Sequence, residues 1–236
     1  MNNIRRLAVV PARGGSKRIK GKNIRLLNGL PIIIHTLRSI KQCELFNEIH
    51  VSTDCDTTFQ TVSEFGFLPR FKREEGLADD FTGVMPVLRS VVAQYAKIKM
   101  VFDEIWLVMP CSPLLEPQDY KEAAVAFREN KKKPLLAITE FPVPIEWAFD
   151  LDDVNQLHPR NPGMFSVRSQ DIKQSYYDAG LFSVYSWKHL KDMNDNGTDE
   201  GFIGFKINKT KAIDIDEEMD WYILEALFEK KLGLGE

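Results

Sequence analysis

The chain reads as an α/β domain built on a mostly parallel sheet. Short β-rich apolar runs alternate with segments of helical length, the pattern of βαβ units, and 236 residues with 44% hydrophobic side chains suffice for one sizeable core. The same composition excludes disorder, collagen and coiled coil as whole-chain readings. Lys plus Arg total 31 against 34 Asp plus Glu, a formal net charge of −3, so no basic excess marks a nucleic-acid partner.

The first strand is expected at Arg6 to Val10 and the second at Glu48 to Ser52, where Ile49 and Val51 are β-branched. A third, Glu104 to Met109, carries Ile105-Trp106-Leu107-Val108, and a fourth, Leu135 to Thr139, follows Pro134. Helices fit between them at Ile32 to Lys41, Thr57 to Phe65, Gly83 to Ala96 and Gln118 to Asn130. In the last of these Tyr120, Ala123, Ala124 and Phe127 share one face. A C-terminal helix from about Glu217 to Lys231 places Trp221, Leu224, Leu227 and Phe228 on one side. Such stripes are core faces.

The alternation falters between about Phe141 and Tyr185, where Pro142, Pro144, Pro159 and Pro162 break the chain and aromatic residues crowd in. We therefore expect a single domain over residues 1–236 with an inserted arm at about 141–185. The apolar start of the chain, Leu7 to Pro11, runs at once into Arg13, which is neither a signal peptide nor a membrane span. Cys43, Cys55 and Cys111 have no disulfide or zinc spacing, so a reducing cytoplasm is the expected location, with no membrane partner.

After the first strand comes Pro11-Ala12-Arg13-Gly14-Gly15-Ser16-Lys17-Arg18-Ile19-Lys20-Gly21-Lys22-Asn23. Two adjacent glycines let the backbone approach a ligand and turn its N–H groups outward, and the five cations supply counter-charge to phosphates. The loop suits a polyphosphate. It lacks both GxGxxG and GxxxxGK[ST], so a dinucleotide enzyme or a P-loop NTPase is poorly supported. A solvated basic turn is the plainer alternative, but the loop sits at the carboxyl end of a first parallel strand, where open α/β sheets bind ligands.

The run from Val10 to Asn23, continuing Leu26-Leu27-Asn28-Gly29-Leu30-Pro31 and on to Thr36, closely resembles the start of the acylneuraminate cytidylyltransferases, whose fingerprint is ARxxSKxxxxKN. The resemblance recurs through Val51-Ser52-Thr53-Asp54, Arg73 with Leu77-Ala78-Asp79-Asp80, Ser112-Pro113-Leu114 and Ile213-Asp214-Ile215-Asp216. It implies a Rossmann-like three-layer nucleotidyltransferase domain with a small inserted dimerisation arm. It also implies transfer of CMP from CTP to the C2 hydroxyl of a nonulosonic acid, activating the sugar for surface glycans or flagellin.

The pair Asp214/Asp216 alternates with Ile213 and Ile215, so in a strand both carboxylates would share a face about 6.6 to 6.8 Å apart. Oxygen ligands of that kind suit Mg²⁺ shared with a nucleotide's phosphates. Asp216 reads equally as the N-cap of the last helix. Asp54 either caps the next helix or approaches the nucleotide, and Asp150/Asp152 read as solvated turn residues of the arm.

In family terms Arg13 and Lys22 act on the triphosphate as the catalytic cations. Pro11, Ala12, Gly14, Gly15, Ser16, Lys17 and Asn23 shape the nucleotide loop, and Arg73, Asp80 and Thr82 face the base and ribose. Arg73 reads as well as a surface cation among Lys72, Glu74 and Glu75.

At the acceptor end the chain departs from the sialic acid enzymes. Where they carry Gln-Pro-Thr-Ser-Pro-Leu-Arg it has Met109-Pro110-Cys111-Ser112-Pro113-Leu114-Leu115, and the Arg-Pro-Asn-Gly pattern is replaced by Tyr177-Asp178-Ala179-Gly180. The blocks around Trp147, Arg168 to Asp171 and Tyr176 to Gly180 resemble the pseudaminic acid branch. They give Met109, Ser112, Arg168, Gln170, Tyr177 and Asp178 as the acceptor set, with Trp147 and Phe149 in a more apolar pocket. Legionaminic acid, sialic acid and 3-deoxy-octulosonate are the alternative acceptors. The resemblance also implies a homodimer whose arm completes the partner's acceptor site. A DxD glycosyltransferase and a nucleotide-binding module without catalysis are the rival classes, and the general base is not legible, although Asp178 is a candidate.

Overall fold

The computed structural model describes residues 4–15, 18–79, 82–193 and 200–233. Strand β1 (Arg6–Pro11) is the centre of a parallel triplet, pairing with β4 (Glu48–Ser52) on one side and β5 (Glu104–Val108) on the other. The triplet is extended by β9 (Tyr176–Ser186), β6 (Leu135–Glu140) and β10 (Ile203–Lys206), giving the order β10-β6-β9-β5-β1-β4. Only β9 runs antiparallel, so the other five strands present their carboxyl ends along one edge.

The expected strands and helices form close to their predicted bounds because each carries its own period. A short hairpin, β2 (Leu26–Leu27) with β3 (Leu30–Pro31), leads into α1 (Ile32–Gln42). Helices α2 (Asp56–Glu64), α3 (Val84–Lys97), α4 (Pro117–Glu129) and α6 (Glu218–Gly233) follow where the apolar stripes place them. Pro117 opens α4 behind a reciprocal cap, in which Glu116 and Asp119 each accept the other's backbone N–H.

The arm is shorter than expected. Its first part contains the hairpin of β7 (Phe149–Leu151) and β8 (Leu157–Pro159), but Tyr176–Ser186 is a strand of the main sheet, set between β5 and β6. The following α5 (Trp187–Asp192) and β10 were not anticipated either.

Both faces of the sheet are covered, which explains why its strands are continuous apolar runs. Ala8, Val10, Trp106 and Val108 face α1 and α4, where Leu37, Ile40, Tyr120 and Phe127 are fully buried. Leu7, Val9, Ile105 and Leu107 face α3, packing on Leu88, Val91 and Tyr95. A third cluster joins Trp221, Leu224 and Phe228 of α6 to Ile19, Leu27, Ile32 and Ile215. Among the described residues no helix is long and apolar enough to cross a membrane.

One ion pair lies inside this core. Arg6 and Glu104 are register partners on β1 and β5, with Nε 2.6 Å from Oε2 and the Glu104 side chain wholly buried. Removing one member leaves an uncompensated buried charge, whereas replacing both restores an apolar pair. Glu104→Ala is expected to cost about 3–5 kcal/mol in urea unfolding, and the double variant Arg6→Met/Glu104→Leu to recover most of that loss.

Candidate functional site

A cavity of about 550 Å³ opens at the carboxyl edge of the sheet. It lies where the strand order turns, since the chain moves from β1 to β4 on one side and then to β5 on the other. Pro11 ends β1 at its floor, Met109, Pro110 and Cys111 follow β5, and Gly180 enters from β9. The loop after β1 forms the rim.

That loop is held low by its own residues. Ala12 is buried and its N–H donates to the Ser52 carbonyl at 2.9 Å. Gly14 donates its N–H to Asp54 Oδ1 at 3.2 Å, and a Cβ at Gly14 would come within 2.8 Å of Cys55 Cβ, so only glycine allows this approach. Asp54 therefore braces the loop. Buried Asn23 donates from Nδ2 to the Arg13 carbonyl at 3.1 Å. Gly15 is exposed. Ser16, Lys17 and Asp80 lie outside the described residues.

Four cations line the cavity: Arg13, Arg18, Lys22 and Arg73. Arg13 donates from Nη1 to the Asp79 carbonyl at 3.0 Å, and Arg73 donates from Nη2 to the Ser52 carbonyl at 2.8 Å. Burial lowers the pKa of Arg73, Asp54 opposes that shift, and Arg13 adds to it. Arg73 is thus built into the wall and is not a free surface cation. Thr82 and Val84 form the facing wall at the start of α3.

Asp214 and Asp216 come to this cavity without a strand. Residues 213–216 form no strand, yet Ile215 is buried in the α6 cluster while Asp214 lines the cavity. Asp216 Oδ2 lies 2.7 Å from Arg18 Nη1, its Oδ1 lies 3.9 Å from Lys22 Nζ, and Lys22 donates to the Ile215 carbonyl. The N-cap reading fails: Asp220 Oδ2, not Asp216, accepts the N–H groups of Asp216 and Glu217 at 2.9 and 2.8 Å. Burial raises the pKa of Asp214, Asp216 raises it further, and Lys22 and Arg18 oppose. Two acids so placed fit a divalent cation. Among the described residues no group of three His, Cys, Asp or Glu side chains could hold a metal, so an ion here would fill its shell from ligand oxygens and water.

Strand β9 contributes through a bulge. Its register against β6 jumps from Leu136↔Ser183 to Ile138↔Asp178, so four residues oppose one. Gly180 sits in that bulge at φ 63, its N–H donates to Asp178 Oδ1 at 2.9 Å, and a Cβ there would lie 3.4 Å from Asp214 Oδ2.

The expected acceptor residues are not brought together. Met109 lines the cavity, but Ser112 is buried, with its hydroxyl donating to the Met109 carbonyl at 3.1 Å and its N–H to Thr36 Oγ1. Ser112 braces the turn after β5. Arg168 is paired with Asp171 at 2.8 Å on the exposed arm, near exposed Gln170, and Tyr177 packs on the Phe141 ring at 4.8 Å. Trp147 donates to the Met164 and Val167 carbonyls and Phe149 packs on Phe165, so both hold the arm together and do not form a pocket wall. Sequence reasoning left Ile19, Val84, Val87 and Cys111 without a role in the site, yet all line the cavity. The spacing of Val84 and Val87 on α3 was the available signal.

The Cytidylyltransferase family matches residues 7–182 of the chain. The pseudaminic acid cytidylyltransferase of Campylobacter jejuni is 32% identical over 179 residues, 76% of this chain and 77% of that protein. A CMP-N,N'-diacetyllegionaminic acid synthase of the same species is 32% identical over 231 residues, 95% of each. In fold, the chain is similar to a CMP:2-keto-3-deoxy-manno-octonic acid synthetase solved with CTP, with a TM-score of 0.70 at 16% identity over 96% of this chain and 99% of that one.

The cysteines differ in a way that reports on this site. A hydrogen bond from the Thr58 N–H lowers the pKa of Cys55, whereas burial raises Cys43 and pushes Cys111 up to about 12. Iodoacetamide at pH 8 is expected to modify Cys55 first. Peptide mass spectrometry over a labelling time course checks the order, and equal or faster labelling of Cys111 would contradict it.

Proposed function

The chain belongs to the cytidylyltransferase family, and from that membership we propose that it transfers CMP from CTP to the C2 hydroxyl of pseudaminic acid with release of pyrophosphate. The observation that carries this reading is the four-cation cavity at the end of β1, with Asp214 in its wall and Asp216 paired to Arg18 beside it. Such a site meets the main demand of nucleotidyl transfer, which is to hold a polyphosphate and stabilise the charge that develops on it.

In this reading the triphosphate lies against Arg13, Lys22 and the N–H groups of the glycine loop, with Ser16 and Lys17 completing that loop. Arg73, Thr82 and Asp80 bound the nucleoside end. The acceptor's C2 oxygen attacks the α-phosphorus, the bond from that phosphorus to the bridging oxygen breaks, and pyrophosphate leaves with the electron pair. Lys22, beside Asp216 and the Ile215 carbonyl, neutralises charge at the α-phosphate. Asp178 is the carboxylate nearest in chain to the Gly180 bulge and is the candidate to take the hydroxyl proton. Asp214 and Asp216 would hold Mg²⁺ together with phosphate oxygens, and the ion would supply Lewis-acid charge at the phosphates.

For the sugar, the blocks around Trp147, Arg168 and Tyr177 and the 32% identity to a pseudaminic acid cytidylyltransferase support pseudaminic acid. Legionaminic acid is a second reading, favoured by the equal identity of the legionaminic acid synthase over a longer stretch. Arg168 and Gln170 point to an acceptor site completed by a second copy, because the arm leaves Val143, Leu151, Val154, Leu157 and Phe165 exposed. We place the enzyme in the cytoplasm, where CTP is available.

Pyrophosphate release with CTP and Mg²⁺ is expected with pseudaminic acid and to be weaker with legionaminic, sialic or 3-deoxy-octulosonic acid. Turnover of sialic acid alone would refute the sugar assignment, and no release with any acceptor would refute the class. Asp214→Asn is expected to lower kcat by about 10²-fold or more while leaving the circular dichroism spectrum unchanged. Light scattering should give twice the mass of one chain, and a monomer at micromolar concentration would remove the shared acceptor site.

A further inference from the structure

The turn after β5 carries Met109, Pro110 and Cys111 into the wall of the cavity. Pro110 and Pro113 have no N–H, so this turn, most of whose residues are buried, is short of donors for its own carbonyls.

The missing donors come from α1. Thr36 is fully buried and is not among the residues lining the cavity, yet its hydroxyl donates to the Pro110 carbonyl at 2.9 Å and accepts the Ser112 N–H at 3.1 Å. Three residues on, and so on the same side of the helix, the Ser39 hydroxyl donates to the Leu115 carbonyl at 2.8 Å. A threonine within a helix commonly turns its hydroxyl to the carbonyl four residues back. Thr36 instead commits its single donor to the turn. The helix that carries it is fixed in the core by Ile33, Ile34, Leu37 and Ile40, all fully buried.

Cys111 is the residue between the two backbone groups that Thr36 holds. Its thiol donates to Asn23 Oδ1 at 3.5 Å, and Asn23 donates from Nδ2 to the Arg13 carbonyl at 3.1 Å. A continuous set of hydrogen bonds therefore runs from a core helix, through the β5 turn, to the glycine loop that bears Arg13.

We propose that Thr36 is a positioning residue for CMP transfer. From within the core it fixes the place of Cys111 and, through Asn23, the Arg13 end of the glycine loop, so that two walls of the cavity keep one geometry. The inference rests on the reading of this cavity as the site of nucleotidyl transfer. Reacting groups held slightly out of line slow the chemical step even when the change that moves them lies outside the site.

Thr36→Val keeps nearly the same volume but leaves the Pro110 carbonyl and the Ser112 N–H without this partner, whereas Thr36→Ser retains both bonds. In steady-state pyrophosphate release with CTP, Mg²⁺ and pseudaminic acid, well below the Tm of each protein, Thr36→Val is expected to lower kcat about 10-fold. Thr36→Ser should stay near the wild-type value. Iodoacetamide labelling gives a readout independent of turnover: in Thr36→Val the rate at Cys111 is expected to rise about 10-fold, while Cys43, buried at the end of α1, keeps its rate. Loss of stability alone would expose Cys43 and Cys111 together and leave kcat of the folded protein in place. That pattern, or an unchanged kcat in Thr36→Val, overturns the inference. Should Thr36→Val fail to fold, Cys111→Ala decides, because it removes the thiol link to Asn23 from the rim: kcat is expected to fall about 3-fold, and full kcat overturns the inference. An active wild type beside an unaffected variant overturns this inference alone. A wild type that releases no pyrophosphate with any acceptor overturns the functional reading as well.

Discussion

The packing of α6 on the start of the chain is the contact on which the site depends. Trp221, Leu224 and Phe228 bury against Ile19, Leu27 and Ile32, and Ile215 enters the same cluster. Ile215 cannot be buried there without leaving its neighbours Asp214 and Asp216 beside the loop that carries Arg18 and Lys22, some 193 residues away in sequence. Arg25 reinforces the junction, with its guanidinium 4.2 Å from the Trp221 ring centroid and 2.7 Å from Glu218. Apolar burial, which has no direction of its own, thus sets the position of two charged groups.

The near-neutral net charge of −3 conceals a local concentration of charge. Arg13, Arg18, Lys22 and Arg73 line the cavity together with Asp214, and Asp216 pairs with Arg18 beside it. The cations are held by backbone groups and not only by acids, as the bonds of Arg73 to the Ser52 carbonyl and of Lys22 to the Ile215 carbonyl show. Exposed ion pairs such as Arg18–Asp216 contribute little to stability, so they can be exchanged for ligand contacts at small cost. The raised pKa of Asp214 reflects the same arrangement, a carboxylate partly removed from water next to another.

Two glycines decide how closely the backbone meets the site. Gly14 lies on Cys55, a contact made possible by its missing Cβ, and Gly180 beside Asp214 holds a left-handed φ of 63 that L side chains rarely adopt. At Gly180 the left-handed φ and the bulge in β9 act together, turning a strand that would otherwise continue the regular ladder toward the cavity. Elsewhere the sheet is regular, so its irregularity is concentrated where chemistry is expected.

Much of the fold was legible because it is local. The four expected strands, which are β1, β4, β5 and β6, and the major helices carry their own period or composition, and the structure forms them nearly as read. Strand β9 was not legible, because its bulge breaks the two-residue alternation and its place between β5 and β6 is set by pairing with residues far away in sequence. For the same reason the residue types of the glycine loop and of the Asp214/Asp216 pair could be read in one dimension, while which of their side chains face one another could not. Ser112 shows the converse: its sequence context suggests a ligand, but burial against Thr36 and Met109 commits both its polar groups to the turn. Residue chemistry and local period were properties of the sequence. Which of those residues face one another was decided only when distant apolar faces found their partners and carried the polar groups with them.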